Sequence, residues 1–136
     1  MISSLGNYIS RRLHNFSTHG AIGTYNLMQV HGYAIVAVQG FVRTACVGID
    51  ASLKIGTPEV DDLIIDTAVA NAAAGLIMQS RTFSIASNLV SWFNIYGSYH
   101  IANEPIQLKV YGAPATAGEI EIIAHWFPIS SGAYVG

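Results

Sequence analysis

Charge is what this sequence has least of. It holds 6 basic and 8 acidic residues among 136, so charged side chains make up 10% of the chain, against about 25% in an ordinary globular protein. A domain of this size cannot cover its surface with so few charges. Part of its apolar surface is therefore expected to face another protein. The net charge of −2 offers no electrostatic footprint for nucleic acid. Arg11 and Arg12 form the one adjacent basic pair, which reads more readily as a solvated face than as a phosphate or lipid site. Cys46 is the single cysteine, which excludes an intrachain disulfide and a cysteine-based zinc site. It lies in the apolar run Thr44-Ala45-Cys46-Val47 and reads as a small core hydrophobe. No apolar run reaches the roughly 20 residues of a membrane span. The opening residues lack the basic-then-apolar order of a secretory signal, so the chain is expected to be made and folded in a cytoplasm.

Catalytic constellations are missing too. The histidines His14, His19, His31, His100 and His125 show no HxH or HExxH spacing. There is no Gly-x-Ser-x-Gly elbow and no glycine-rich phosphate loop. Asp61, Asp62 and Asp66 resemble a weak calcium loop only in acidity. They lack its alternating ligands and glycine, and read better as solvated charges. A glycan hydrolase needs two carboxylates about 5–10 Å apart, and eight acidic residues, several in loops, supply few candidates. The chain is read as a non-enzyme with no catalytic, cofactor-binding or metal-binding residue.

What is present is apolar and periodic. Ile2, Leu5, Ile9, Leu13 and Phe16 follow one another at helical spacing. On a helix they share an arc of about 80°, with Arg11 opposite. Residues 1–23 therefore read as an arm and linker with a helical, amphipathic pattern. So short a helix is marginal alone and needs something to lie on: its own domain, symmetry mates or another protein. Ile2, Leu5, Ile9, Leu13, Phe16, Arg11 and Arg12 are its candidate assembly residues. Deleting residues 1–20 is expected to leave a folded domain that no longer assembles.

From residue 24 the pattern changes to strands separated by turn signals. Thr24 to Val30, Tyr33 to Arg43, Ala45 to Ile49 and Ala51 to Ile55 come first. The continuous run Ala34 to Val38 suggests burial on both faces. Asp66 to Gly75 fits a short helix or a loop. Strands resume at Leu76 to Ile85, Leu89 to Tyr96, Ile106 to Tyr111 and Glu119 to Phe127, with Gly112 to Gly118 as a small-residue loop. Glu119 to Phe127 is expected at the centre of its sheet, apolar on both faces in its second half, and ended by Pro128. The expected fold is all-β: a single antiparallel β-sandwich over residues 24–136. Trp92, Tyr96, Tyr99 and Trp126 are candidate interface or receptor-stacking aromatics.

The order of short features also resembles a known class. The strand Ala34 to Arg43 is followed by Leu53-Lys54-Ile55-Gly56, then Asp61-Asp62 and an Ala/Thr-rich run ending at Gly75. Ala115 to Ile120 introduces the last strand, which finishes as His125-Trp126-Phe127-Pro128-Ile129, and Gly132 to Val135 closes the pattern. The chain in this respect resembles small bacteriophage virion structural proteins. That resemblance implies a jelly-roll-like sandwich, a homotrimer, and a place in the virion as a capsid decoration (cement) protein on the major capsid protein. Head-fibre or tail-tip modules that bind a host receptor or glycan are the alternative. From the charge balance and the short apolar runs, no cofactor, nucleic-acid or membrane partner is expected.

Overall fold

The computed structural model describes residues 8–61, 63–68, 72–78 and 99–136. Its strands are β1 (Ile9–Asn15), β2 (Gly23–His31), β3 (Tyr33–Val47), β4 (Ser52–Gly56), β5 (Ile65–Ala68), β6 (Ile77–Met78), β7 (Tyr99–Ala102), β8 (Pro105–Tyr111), β9 (Ala117–Pro128) and β10 (Tyr134–Val135). No helix occurs among the described residues. One sheet runs β1-β9-β3-β6, with β7 also on β3; the other runs β10-β2-β8-β4-β5. All pairings are antiparallel.

The two sheets enclose one core. β3 supplies Val36, Val38 and Val42, β4 supplies Leu53 and Ile55, β8 supplies Ile106, Leu108 and Val110, and β9 supplies Ile120 and Ile122. These residues recur at every second position, which puts them on one face of a pleated strand. β9 lies between β1 and β3, with Ile122 opposite both Arg12 and Gly40, so its central placement holds. Its second half is not buried on both faces, however. Ile123 and His125 are half-buried and Phe127 is exposed. Pro128 still pairs with Ala34, and Trp126 is only partly buried against the core.

The helical arm is the main correction. Ile9–Asn15 is a strand that pairs along its whole length with β9, and Phe16, just beyond it, is 1% exposed in the core. In an extended chain the period is two, not 3.6. Ile9, Leu13 and Arg11 therefore share one face, while Phe16 turns inward. The apparent helical stripe is a coincidence of spacing, and a short strand that gains a neighbour's ladder outcompetes a marginal helix. Residues 9–16 thus belong to the sandwich rather than to an arm beside it. Ile2 and Leu5 lie outside the described residues.

Two further elements differ. Ala45 joins β3 rather than starting a strand of its own. A helix beginning at Asp66 is excluded by β5, whose Asp66 pairs with Lys54. The expected strand Leu89 to Tyr96 and most of Leu76 to Ile85 lie outside the described residues.

Several loops at one end fit together without room for side chains. The Ala115 N–H donates to Gly20 O at 2.8 Å, and Thr116 N–H to Val47 O at 2.8 Å. A Cβ at Gly20 would sit 1.9 Å from Ala115 O. At Gly118, with φ of +114°, it would sit 2.5 Å from Cys46 Cα, a conformation and a contact that only glycine tolerates.

Candidate assembly surface

The outward face of the β1-β9-β3 sheet carries the most distinctive surface. The register places Ile9 beside His125, Arg11 beside Ile123 and Leu13 beside Glu121. On the other side of β9, Ile35 lies beside Phe127, Ala37 beside His125 and Phe41 beside Glu121. Phe41 in turn pairs with Ile77 of β6. Leu13 is 55% exposed, and Ile9, Tyr33, Ile77 and Phe127 are exposed as well. The β3 run was expected to be buried on both faces. Its inward residues are in the core, while on the outward side Ala37 is buried, Ile35 and Phe41 are partly exposed, and Tyr33 is exposed.

One ionic cluster interrupts this face. The Glu121 side chain accepts from Arg43 Nε at 2.9 Å and Arg43 Nη2 at 2.5 Å, and from Arg11 Nη1 at 3.3 Å. Glu121 is 7% exposed, while both arginines stay half-exposed. Arg43, and to a lesser degree Arg11, hold the Glu121 carboxyl below its ordinary range, against the opposing effect of burial. The Arg43 guanidinium also lies over the Phe41 ring, 5.4 Å from its centroid. The cluster ties β1 and β3 to β9 across a face otherwise short of charge.

A second apolar patch lies at the glycine-packed end. Ile22, Val47 and Ile49 are exposed there, Ile49 at 82%. Ile49 projects from a tight turn in which Ala51 N–H donates to Gly48 O at 3.1 Å and Asp50 takes a positive φ of 63°.

The sequence-derived candidates are dispersed. Ile9, Leu13 and Arg11 lie on the outward sheet face, Arg12 is exposed on the other side of β1, and Phe16 is in the core. Trp92 and Tyr96 lie outside the described residues. Tyr99 packs on the core. Trp126 donates its indole N–H to Ser10 Oγ at 3.1 Å and stacks obliquely on Tyr8 at 4.8 Å. Tyr99 and Trp126 are both partly buried. Tyr33, Ile35, Phe41, Ile77 and Phe127 were not foreseen as surface residues. A strict odd–even reading of β3 would have found its three.

Other titratable groups among the described residues have identifiable partners or surroundings. Asp61 is held by Lys109 at 3.2 Å and Lys54 at 3.7 Å. His14 is buried, its Nε2 2.9 Å from His19 O. Burial lowers its pKa, opposed by that backbone hydrogen bond and helped by the nearby His19. His125 is lowered by burial and by Arg11. Among the described residues no three His, Cys, Asp or Glu side chains converge as a metal site.

Fold and surface together define a small two-sheet antiparallel β-sandwich with several exposed apolar side chains on the outward face of one sheet. That fold recurs in solved phage capsids. A chain in the acidic stable capsid structure of Helicobacter pylori bacteriophage KHP30 superposes with a TM-score of 0.55 and 14% identity, over 95% of this chain and 91% of that one. A chain in the capsid asymmetric unit of cyanophage Pam1 gives 0.54 and 13%, over 88% and 83%. The resemblance to phage particle proteins read from the sequence thus recurs at the level of the fold. No protein-family model and no curated protein matches the chain.

Proposed function

We propose that this chain is a structural, non-enzymatic component of a bacteriophage particle, a capsid decoration (cement) protein that forms a homotrimer and binds the major capsid protein. The observation that carries the reading is the exposed apolar face of the β1-β9-β3 sheet, on a fold shared with chains of phage capsid structures.

Size refines the reading. Seven paired residues across three strands span about 24 Å by 14 Å, a footprint of roughly 350 Å². A stable contact buries about 800 Å² per partner. The sheet face alone is therefore too small, and a second patch must contribute. A three-fold ring uses two different patches on each copy, whereas a two-fold dimer uses one patch twice. The sheet face and the Ile22-Val47-Ile49 end are two such patches. The particle gains stability from the apolar area so buried, and synthesis in the host cytoplasm precedes assembly.

Imaging of the intact particle tests the assignment by locating the chain. Light scattering on the purified protein tests the oligomer: a trimer is expected, and a monomer at micromolar concentration refutes it. Leu13→Glu with Ile77→Glu, both at exposed positions, should leave the fold intact and abolish the trimer.

A further inference from the structure

The edges of the two sheets are not equally protected. β2 is bulged between Asn26 and Met28 and is capped at one end by the two-residue β10. β6 is itself two residues long. Bulges and short strands are the usual means of discouraging edge-to-edge pairing. β1 has neither. Its seven residues run in unbroken register with β9, hold no proline, and pair with nothing on the other side among the described residues.

Its free hydrogen-bonding groups can be assigned. Trp126 N–H donates to Tyr8 O at 2.9 Å, and Phe16 N–H to Gly118 O at 2.8 Å. In an antiparallel ladder such pairs recur at every second residue. Even-numbered residues of β1 therefore spend their backbone groups on β9. The N–H and C=O of Ile9, Arg11 and Leu13 point to the open edge.

Beside that edge runs a groove between β1 and β2. It consists of two adjoining depressions of about 370 and 240 Å³ that share Arg12, Asn26 and Leu27. Among the described residues that line it, none is an aspartate or glutamate. Arg12 is exposed and has no ion-pair partner among the described residues, unlike Arg11, which is engaged by Glu121. Two copies joined by their β1 edges would bring their unpaired Arg12 side chains onto the same side of the joined sheet, which disfavours self-pairing.

We infer that the β1 edge is a strand-addition site for an extended, acidic segment of another protein, with Arg12 as the residue that reads its carboxylates. Backbone pairing to Ile9, Arg11 and Leu13 supplies the docking. The unopposed charge of Arg12 selects an anionic strand over a neutral or basic one. This inference stands apart from the virion assignment, since it rests on the edge and its charge alone.

The probe is a capped seven-residue peptide alternating valine with glutamate, titrated to 1 mM into the full-length, isotope-labelled chain. Amide shifts and slowed hydrogen exchange at Ile9, Arg11 and Leu13 are expected. Arg12→Gln should weaken binding by about tenfold without altering the spectrum elsewhere. Leu13→Pro removes an outward donor but no bond to β9, and should abolish binding with the fold retained. A lysine-for-glutamate peptide should not bind. No shift at those amides, equal binding of the lysine peptide, or an unchanged affinity in Arg12→Gln would each overturn the inference.

Discussion

Replacing Phe16 with alanine separates a strand that belongs to the core from an arm that merely lies beside it. Phe16 is 1% exposed, its N–H is bonded to Gly118 O, and its ring meets His14 edge-on at 5.0 Å. A buried Phe→Ala change costs about 3–5 kcal/mol, the sum of lost transfer energy and the cavity left behind. Unfolding entropy near 2.1 cal/mol/K per residue amounts to about 0.29 kcal/mol/K for a chain of this length. The midpoint of thermal unfolding should therefore fall by roughly 10–17 °C. In urea, with a slope of about 2 kcal/mol/M, the midpoint should drop by roughly 1.5–2.5 M with the slope unchanged. Both scans should be run at one fixed protein concentration, because assembly would make the midpoint concentration-dependent. Val60→Ala is the internal control: its side chain is 45% exposed and belongs to neither apolar patch, so the change should stay within about 0.5 kcal/mol. A loss below about 1 kcal/mol for Phe16→Ala would refute the packing argument and restore the independent arm.

Three other outcomes follow from the same structure. Gly20→Ala should cost at least about 1–3 kcal/mol by chemical denaturation, because its new Cβ would meet backbone oxygen rather than a movable side chain. Stability should fall as pH drops below the ordinary histidine value of about 6.5: His14 and His125 are lowered in the fold, so the unfolded chain takes up the proton first. His14→Gln should flatten that part of the urea-midpoint profile. Glu121 is also lowered. Its contribution is present above the ordinary carboxylate range and is lost as pH falls through it, so Glu121→Gln should reduce the acid sensitivity below about pH 4.5, and added salt should reduce it in the wild type.

The sandwich was legible because its strands announce themselves. Tyr33 to Arg43 is rich in β-branched and aromatic residues, and Glu119 to Ile122 alternates cleanly. Both became long strands, and β9 buries Ile120 and Ile122 as its alternation implies. β1 was not legible. Its sequence, ISRRLHN, has two large apolar residues at a spacing of four, which suits one helical face and one strand face equally. What decides between them is the ladder offered by β9, more than a hundred residues further along the chain, and no local pattern encodes that. The sheet surface was hidden for a related reason. A run such as Ala34 to Val38 looks the same whether its second face is covered by this chain or left for a partner. The low charge content points towards a partner, but composition carries no address. Arg12 was singled out as half of a basic pair. Only the register shows that its neighbour is neutralised by Glu121 while Arg12 is not.

The pairing of β1 with β9 also sets a timetable. Leu13 is registered against Glu121, so the first strand has no partner until the ninth has been made. At about 5–20 residues per second of synthesis, that is a wait of roughly 5–20 s. Through that interval Phe16 has no pocket and both edges of β1 are open. A fold whose sheets join such distant segments is expected to close on the millisecond-to-second scale, far faster than the ribosome delivers the missing strand. The half-made chain therefore spends most of its youth with its opening strand unclaimed.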